Sequence, residues 1–312
     1  MGLLSSTTPG HIGSQSHLRV SIGGAESNFA IAMSRLGNEV SWLGRVGADE
    51  FGRLITRELH AEQVRVPLSP DGSGAATGLM LKSIPVPGRQ DVTYYRTRSA
   101  GSRLCPEDME ETQVAELISS ADVLHVTGIT LAISESARDA AFRAVEIARA
   151  NGTLVAVDIN HRHRIWSAEH ARPVYRRFVS KADVVFAGLE EAAMVVKGVS
   201  RDELEVTDLL QKLQELTTLP IIKEGDQGSW GLVDQRLYHQ AAFKVRVVDP
   251  VGAGDGFAAG FLHAYAEGAS VVQSLRMGSR VGAFACLSPG DWEGYPTPSE
   301  LAMLDSTPQV IR

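Results

Sequence analysis

Asp249-Pro250-Val251-Gly252-Ala253-Gly254-Asp255-Gly256-Phe257-Ala258-Ala259-Gly260-Phe261 is the stretch on which the reading of this 312-residue chain turns. A glycine-rich turn runs directly into an apolar helical pattern, Phe257, Phe261, Leu262 and Tyr265. The first turn of a helix leaves several backbone N–H groups without intrahelical partners, and the aligned peptide dipoles add partial positive charge there. Such a terminus is an anion hole. An aspartate inside it is out of place if the turn only binds an anion, because it would repel the ligand. Asp255 makes sense as a base that takes a proton from a hydroxyl, which then attacks a phosphoryl group held by the amides. The plainer alternative is that Asp255 caps the helix, and the spacing alone leaves the two readings even.

Around this turn, helix and strand signals alternate, which predicts a mostly parallel sheet covered by helices. Strand-like runs lie at Val40–Gly44, Asp122–Thr127, Leu154–Asp158, Asp183–Ala187 and Leu219–Lys223. Ser134 reads as an N-cap, with Ala137, Ala141, Ala144, Val145 and Ala148 at helical spacing until Asn151-Gly152 ends the helix. A last long helix is predicted from Ser270 to about Leu287. Residues 64–100 break the alternation. There Thr77–Leu81 and Asp91–Arg96 read as two strands around a Pro85-Val86-Pro87-Gly88 turn, an inserted sheet of the kind that serves as a lid. No linker divides the chain, so residues 1–312 read as one α/β domain with this insertion.

Composition excludes several classes. A formal charge of −7 argues against nucleic acid as the main partner. No apolar run reaches bilayer length, and the N-terminus lacks the basic start and apolar core of a secretory signal. Two cysteines, Cys105 and Cys286, give no disulfide framework and read as free thiols in a reducing, cytoplasmic compartment.

Other positions carry chemistry less plainly. Gly23-Gly24-Ala25-Glu26-Ser27-Asn28 precedes an apolar helix, where Asn28 offers a polyol both donor and acceptor, or serves only as part of a turn. In Tyr94-Tyr95-Arg96, period two puts Tyr94 and Arg96 on one face and Tyr95 on the other. An Arg beside an aromatic suits a carboxylate-bearing ligand. Asp158-Ile159-Asn160-His161-Arg162-His163 follows a buried-strand pattern, at the end of the sheet where ligands gather. Two histidines without nearby carboxylates or cysteines are weak evidence for a metal, and they read as packed or solvated.

The opening stretch resembles the C-terminal signature of the ribokinase (PfkB) family of sugar kinases. Gly-Gly-Ala-Glu-x-Asn at Gly23–Asn28, continued by Gly44-Arg45-Val46-Gly47, is similar to that family's N-terminal sugar-binding signature. The resemblance implies a ribokinase-like fold with a small β-sheet lid that often forms the dimer contact. It implies ATP and Mg²⁺ as cofactors, with a monovalent cation as a possible activator. Asp255 would be the base, and Gly252, Ala253, Gly254 and Asp255 the anion hole. Gly24 and Asn28 would touch the sugar. Asn160, Arg162, Lys223, Gly225, Gly228, Gly252 and Gly254 would serve the nucleotide, and Glu191 would organise the metal through water. Gly188 departs from the family here, where Asn or Ser is common. The family also opens with a core strand before the Gly-Gly pair, which this stretch lacks, so the polypeptide is expected to start upstream of Met1. Tyr94-Tyr95-Arg96-x-x-Ser-Ala is similar to a signature of 2-keto-3-deoxygluconate kinases, so Tyr94, Arg96, Arg162 and Asp291 are expected to hold an acid sugar. The alternatives are a kinase for a neutral sugar such as fructose, and a non-catalytic sugar-binding protein with the same fold.

Overall fold

The computed structural model describes residues 1–14, 17–87, 89–196 and 205–305. Its strands, in chain order, are β1 (Gly2–Ser6), β2 (Leu18–Ile22), β3 (Val40–Ser41), β4 (Val64–Arg65), β5 (Leu79–Val86) and β6 (Arg89–Tyr95). They continue with β7 (Val123–Thr127), β8 (Leu154–Asp158), β9 (Val184–Gly188), β10 (Leu219–Lys223), β11 (Ser229–Val233) and β12 (Arg236–Gln240).

Apolar runs without polar alternation suit strands covered on both faces, and β8, β9 and β10 are of this kind. With β7 they form the parallel part of a six-stranded sheet ordered β12-β11-β10-β9-β8-β7. Period two then sends alternate side chains to opposite faces. Val155, Val157, Val185, Ala187 and Ile222 enter one core with helices Glu135–Asn151, Ala168–Val179 and Val206–Gln214. Ala156, Val184, Phe186 and Ile221 enter a second core with helices Ala25–Arg35, Ala253–Ala266 and Val271–Ala285. Each fully buried Val, Ile or Phe contributes about 1.5–3 kcal/mol, which is what holds a helical layer on each face.

Local signals set the helix ends as read from the sequence. Ser134 Oγ accepts from the Ala137 N–H at 3.0 Å, and Gly152 closes that helix at φ +80°. Ser270 caps the last long helix.

Elsewhere the structure shifts the expectation. Of the run Val40–Gly44 only Val40–Ser41 is a strand, and it pairs with β4 rather than with the large sheet. The β11–β12 hairpin has no glycine signal. Its turn residues Asp234 and Gln235 nevertheless adopt φ +48° and +63°, the left-handed geometry that matches strand twist.

A smaller sheet, ordered β2-β1-β5-β6, lies beside the first. β1 pairs parallel with β5, and β5 pairs antiparallel with β6 so that Met80 faces Tyr94. Met80 and Lys82 are buried while Tyr95 is 61% exposed, so one face of this sheet is turned inward. Gly88, in the turn read between β5 and β6, lies outside the described residues. Arg164, after β8, donates to the Val92 carbonyl at 2.5 Å and to Asp91 Oδ1 at 2.9 Å, which ties the smaller sheet to the end of the larger one. No described helix is long and apolar enough to cross a membrane, and Cys105 and Cys286 are free thiols.

Candidate active site

A cavity of about 820 Å³ opens between the inner face of the smaller sheet and the carboxyl ends of β8, β9 and β10. Pro250, Val251, Gly252, Gly254 and Asp255 of the glycine turn line it. Gly252 sits there at φ +79°, immediately before the Ala253–Ala266 helix. A Cβ at Gly252 would lie 2.0 Å from the Asp291 carbonyl oxygen, so both the backbone angle and the packing demand glycine. Tyr295 Oη donates to the Gly252 carbonyl at 2.8 Å and pins the turn from behind.

Asp255 stands in the first turn of that helix, and no side-chain hydrogen bond caps the helix. Its carboxylate instead accepts from Asn28 Nδ2 at 2.9 Å and from Asn160 Nδ2 at 3.3 Å. Burial pushes the Asp255 carboxyl up to about 7, against the hydrogen bond from Asn28. A carboxyl poised there is matched to proton transfer near neutral pH. Asn160 reaches it from the end of β8 with φ +39°, a left-handed angle rare for a residue other than glycine.

Gly24, Asn28, Tyr94, Arg96, Arg162 and Asp291 all lie on the cavity wall. Arg96 stacks its guanidinium 4.3 Å above the Tyr94 ring, and its buried Nη2 has no hydrogen-bond partner. Burial holds this guanidinium below its ordinary pKa. Asp291 is also buried, with its carboxyl pushed up to about 6 mainly by desolvation. Its Oδ1 lacks a hydrogen-bond partner and lies 3.7 Å from Lys82 Nζ.

Lys223 Nζ donates to Asp158 Oδ2 at 2.6 Å, while the buried Asp158 Oδ1 has no hydrogen-bond partner. Glu191 accepts from the Gly188 and His161 N–H groups, each at 2.7 Å. Gly188 thus contributes its backbone where a side chain was expected. Burial, with Asp158 nearby, raises the Glu191 carboxyl. The unpartnered Asp158 oxygen and Glu191 are hard oxygen donors of the kind Mg²⁺ takes, alongside waters and phosphate oxygens. Among the described residues no group of three or more His, Cys, Asp and Glu side chains is placed to hold an ion alone. His161 packs edge-on against Tyr175 and His163.

Lys223, Gly225, Gly252, Gly254, Asn160 and Glu191 line the same cavity. Gly228 and Ala253 do not line it. A Cβ at Gly228 would meet the Gln240 carbonyl oxygen at 2.0 Å, so packing explains that glycine. Sequence reasoning missed Asp158, Met80, Lys82, Asp249 and Tyr295. Asp158 had a signal, as the polar residue ending a buried run at the carboxyl edge of the sheet.

A cavity at the carboxyl end of a parallel sheet, where a glycine turn at a helix N-terminus meets a buried carboxylate, is an arrangement suited to phosphoryl transfer onto a small hydroxyl compound. The chain belongs to the pfkB family of carbohydrate kinases, whose sequence profile matches residues 4–298. It is accordingly an ATP-dependent carbohydrate kinase with a ribokinase-like fold. Among curated relatives, a 2-dehydro-3-deoxygluconokinase of Thermoproteus tenax is 34% identical over 95% of this chain and 89% of its own length. A 5-dehydro-2-deoxygluconokinase of Shouchella clausii is 30% identical over 91% of this chain and 86% of its own. An E. coli protein described as ribokinase II, solved with ATP and Mg²⁺, superposes with a TM-score of 0.84 at 22% identity, covering 97% of this chain and 96% of that one.

Proposed function

We propose that the enzyme transfers the γ-phosphoryl group of ATP to a hydroxyl of 2-keto-3-deoxygluconate. The observation that carries the acid-sugar part is the buried Arg96 guanidinium, stacked on Tyr94 with its Nη2 unpartnered. A desolvated cation left unpaired is costly, and a carboxylate offered in its plane removes that cost. The relative from Thermoproteus tenax bears a name of matching chemistry.

In this reading Asp255 takes the hydroxyl proton as the sugar oxygen bonds to the γ-phosphorus. The bond from that phosphorus to the β,γ-bridging oxygen breaks, and ADP leaves. The amides of Gly252, Ala253, Gly254 and Asp255 stabilise the charge gathering on the phosphoryl oxygens. Gly24, Asn28, Tyr94, Arg96, Arg162 and Asp291 hold the sugar. Asn160, Arg162, Lys223 and Gly225 face the nucleotide phosphates, and Gly228 shapes their turn. Mg²⁺ supplies Lewis-acid neutralisation of the phosphates, with Glu191 acting through water and Asp158 beside it. A monovalent cation as activator, residues 1–312 as one domain with the smaller sheet as lid, pairing of copies through that lid and a cytoplasmic location complete the proposal.

A second reading takes 5-keto-2-deoxygluconate as the acceptor, prompted by the relative from Shouchella clausii. It needs the same cation for the same carboxylate. ADP release measured with both keto acids, the galactonate epimer, fructose and ribose separates these readings. Arg96→Ala is expected to raise KM for the acid sugar by about 10- to 100-fold, the worth of a charged hydrogen-bonded pair, while leaving fructose turnover unchanged. Equal losses on both sugars would remove Arg96 from acid recognition.

A further inference from the structure

Two residues before the end of the inward-facing row on β5, the Lys82 ammonium is buried between two carboxylates. Its Nζ lies 2.6 Å from Asp249 Oδ2 and 3.7 Å from Asp291 Oδ1. All three side chains are nearly inaccessible, at 8%, 5% and 7% exposure. Asp249 opens the anion-binding turn and accepts from the Val251 N–H through its Oδ1 at 3.2 Å. Asp291 closes over the same turn through the carbonyl that packs on Gly252. Met80, on the same face of β5, reaches the cavity wall, whereas Lys82 stops behind it.

Asp249 and Asp291 place two carboxylates beside a turn that has to receive the terminal phosphoryl of a nucleotide, while Lys223 and Arg162 face Asp255 from the other side. The summed field of those two carboxylates opposes that anion unless a cation is fixed between them. A buried ion pair contributes little net stability against an apolar replacement, so packing alone does not account for this lysine.

We propose that Lys82 is a positioning residue: its fixed ammonium holds the anion-binding turn against Asp291 and supplies the charge that lets the turn accept a terminal phosphoryl group. The inference rests on the kinase reading and names a device inside that site. Lys82 acts through Asp249 and Asp291 and does not touch substrate. Because the cation is part of β5, the charge balance of the turn is tied to the position of the smaller sheet.

The test uses the full chain carrying Lys82→Met, with Mg²⁺ present, and compares binding of ADP and of the non-hydrolysable analogue AMP-PNP by calorimetry. ADP binding is expected to hold, while AMP-PNP binding weakens about ten-fold or more, because only the analogue places a phosphoryl group at the turn. Turnover, read with whichever sugar the unaltered enzyme phosphorylates fastest, is expected to fall on the order of 10²-fold, as for a displaced catalytic turn. In Lys82→Ala, ethylammonium added to the assay is expected to restore part of that loss and ethanol none. Lys82→Met/Asp249→Asn removes opposite charges together, guarding against misfolding of the single variant; with the net charge kept, AMP-PNP affinity is expected to recover in part, while turnover stays slow because the turn is no longer held. Folded Lys82→Met, or the folded double variant, with AMP-PNP affinity and turnover at the unaltered level would overturn the proposal. An unaltered enzyme that binds AMP-PNP yet phosphorylates no sugar would defeat the kinase reading, and the AMP-PNP against ADP comparison would still decide on Lys82.

Discussion

At the scale of single residues, Asp255 concentrates the chemistry. Two amide donors hold its carboxylate, and burial raises its pKa to about 7. In the proposed role Asp255 works as a base only when deprotonated, so kcat/KM is expected to fall with a unit slope as pH drops below about 7 and to level off above it. Asp255→Asn is expected to cut turnover on the order of 10²–10⁴-fold, the span of a general base, and to abolish this acidic limb. Nucleotide binding measured by calorimetry is expected to persist. A variant with full turnover, or one retaining the limb, would take Asp255 out of the role.

At the scale of elements, local signals explain where helices begin and end. Ser134 both caps the Glu135–Asn151 helix and donates to the Ser102 carbonyl at 2.7 Å. Ser134→Ala is expected to cost about 1 kcal/mol of unfolding free energy in urea, the usual worth of an N-cap, with turnover unchanged. This cap, strands β8 to β10 and the glycine turn were legible because each is written in neighbouring residues. The β11–β12 hairpin was not, since Asp234 and Gln235 take left-handed angles without the glycine or asparagine that would announce them. The site was legible to the same limit. Gly252 to Asp255 can be read as an anion hole, but the Asn28 amide that holds the Asp255 carboxylate lies 227 positions away. The Lys82–Asp249 contact spans 167 positions and joins β5 to the turn before the Ala253–Ala266 helix, and no local spacing predicts it.

At the scale of the molecule, the two cores meet the sheet from opposite sides, and β7 is its outer strand among the described residues. His125 of β7 stacks on Phe29 at 3.8 Å, with a buried Nε2 that has no hydrogen-bond partner. Burial pushes this imidazole down to about 4 from an ordinary 6.5. As pH falls below 6.5 the unfolded chain takes up the proton first, so this residue costs stability progressively until about pH 4. His125→Phe is therefore expected to be more stable relative to the parent at pH 5 than at pH 8, by on the order of 1–2 kcal/mol. Thermal unfolding at the two pH values measures it, and an equal shift at both would refute the account. Asp255 and Asp291, with raised values, act in the opposite sense between about pH 4 and 7, so the difference between proteins is the informative quantity.

The clasp of Arg164 on Asp91 and Val92 bears on how the two substrates sense each other. Arg162, two residues earlier on the same loop, faces the cavity, so a shift of the smaller sheet toward the sugar also moves the nucleotide side. Reciprocity then requires that a bound sugar tighten nucleotide binding by the same factor that nucleotide tightens the sugar. The clasp is solvent-exposed, with side-chain accessibilities of 64% and 49%, and exposed pairs are worth at most about 1 kcal/mol. Synergy routed through this contact is thereby capped at about five-fold.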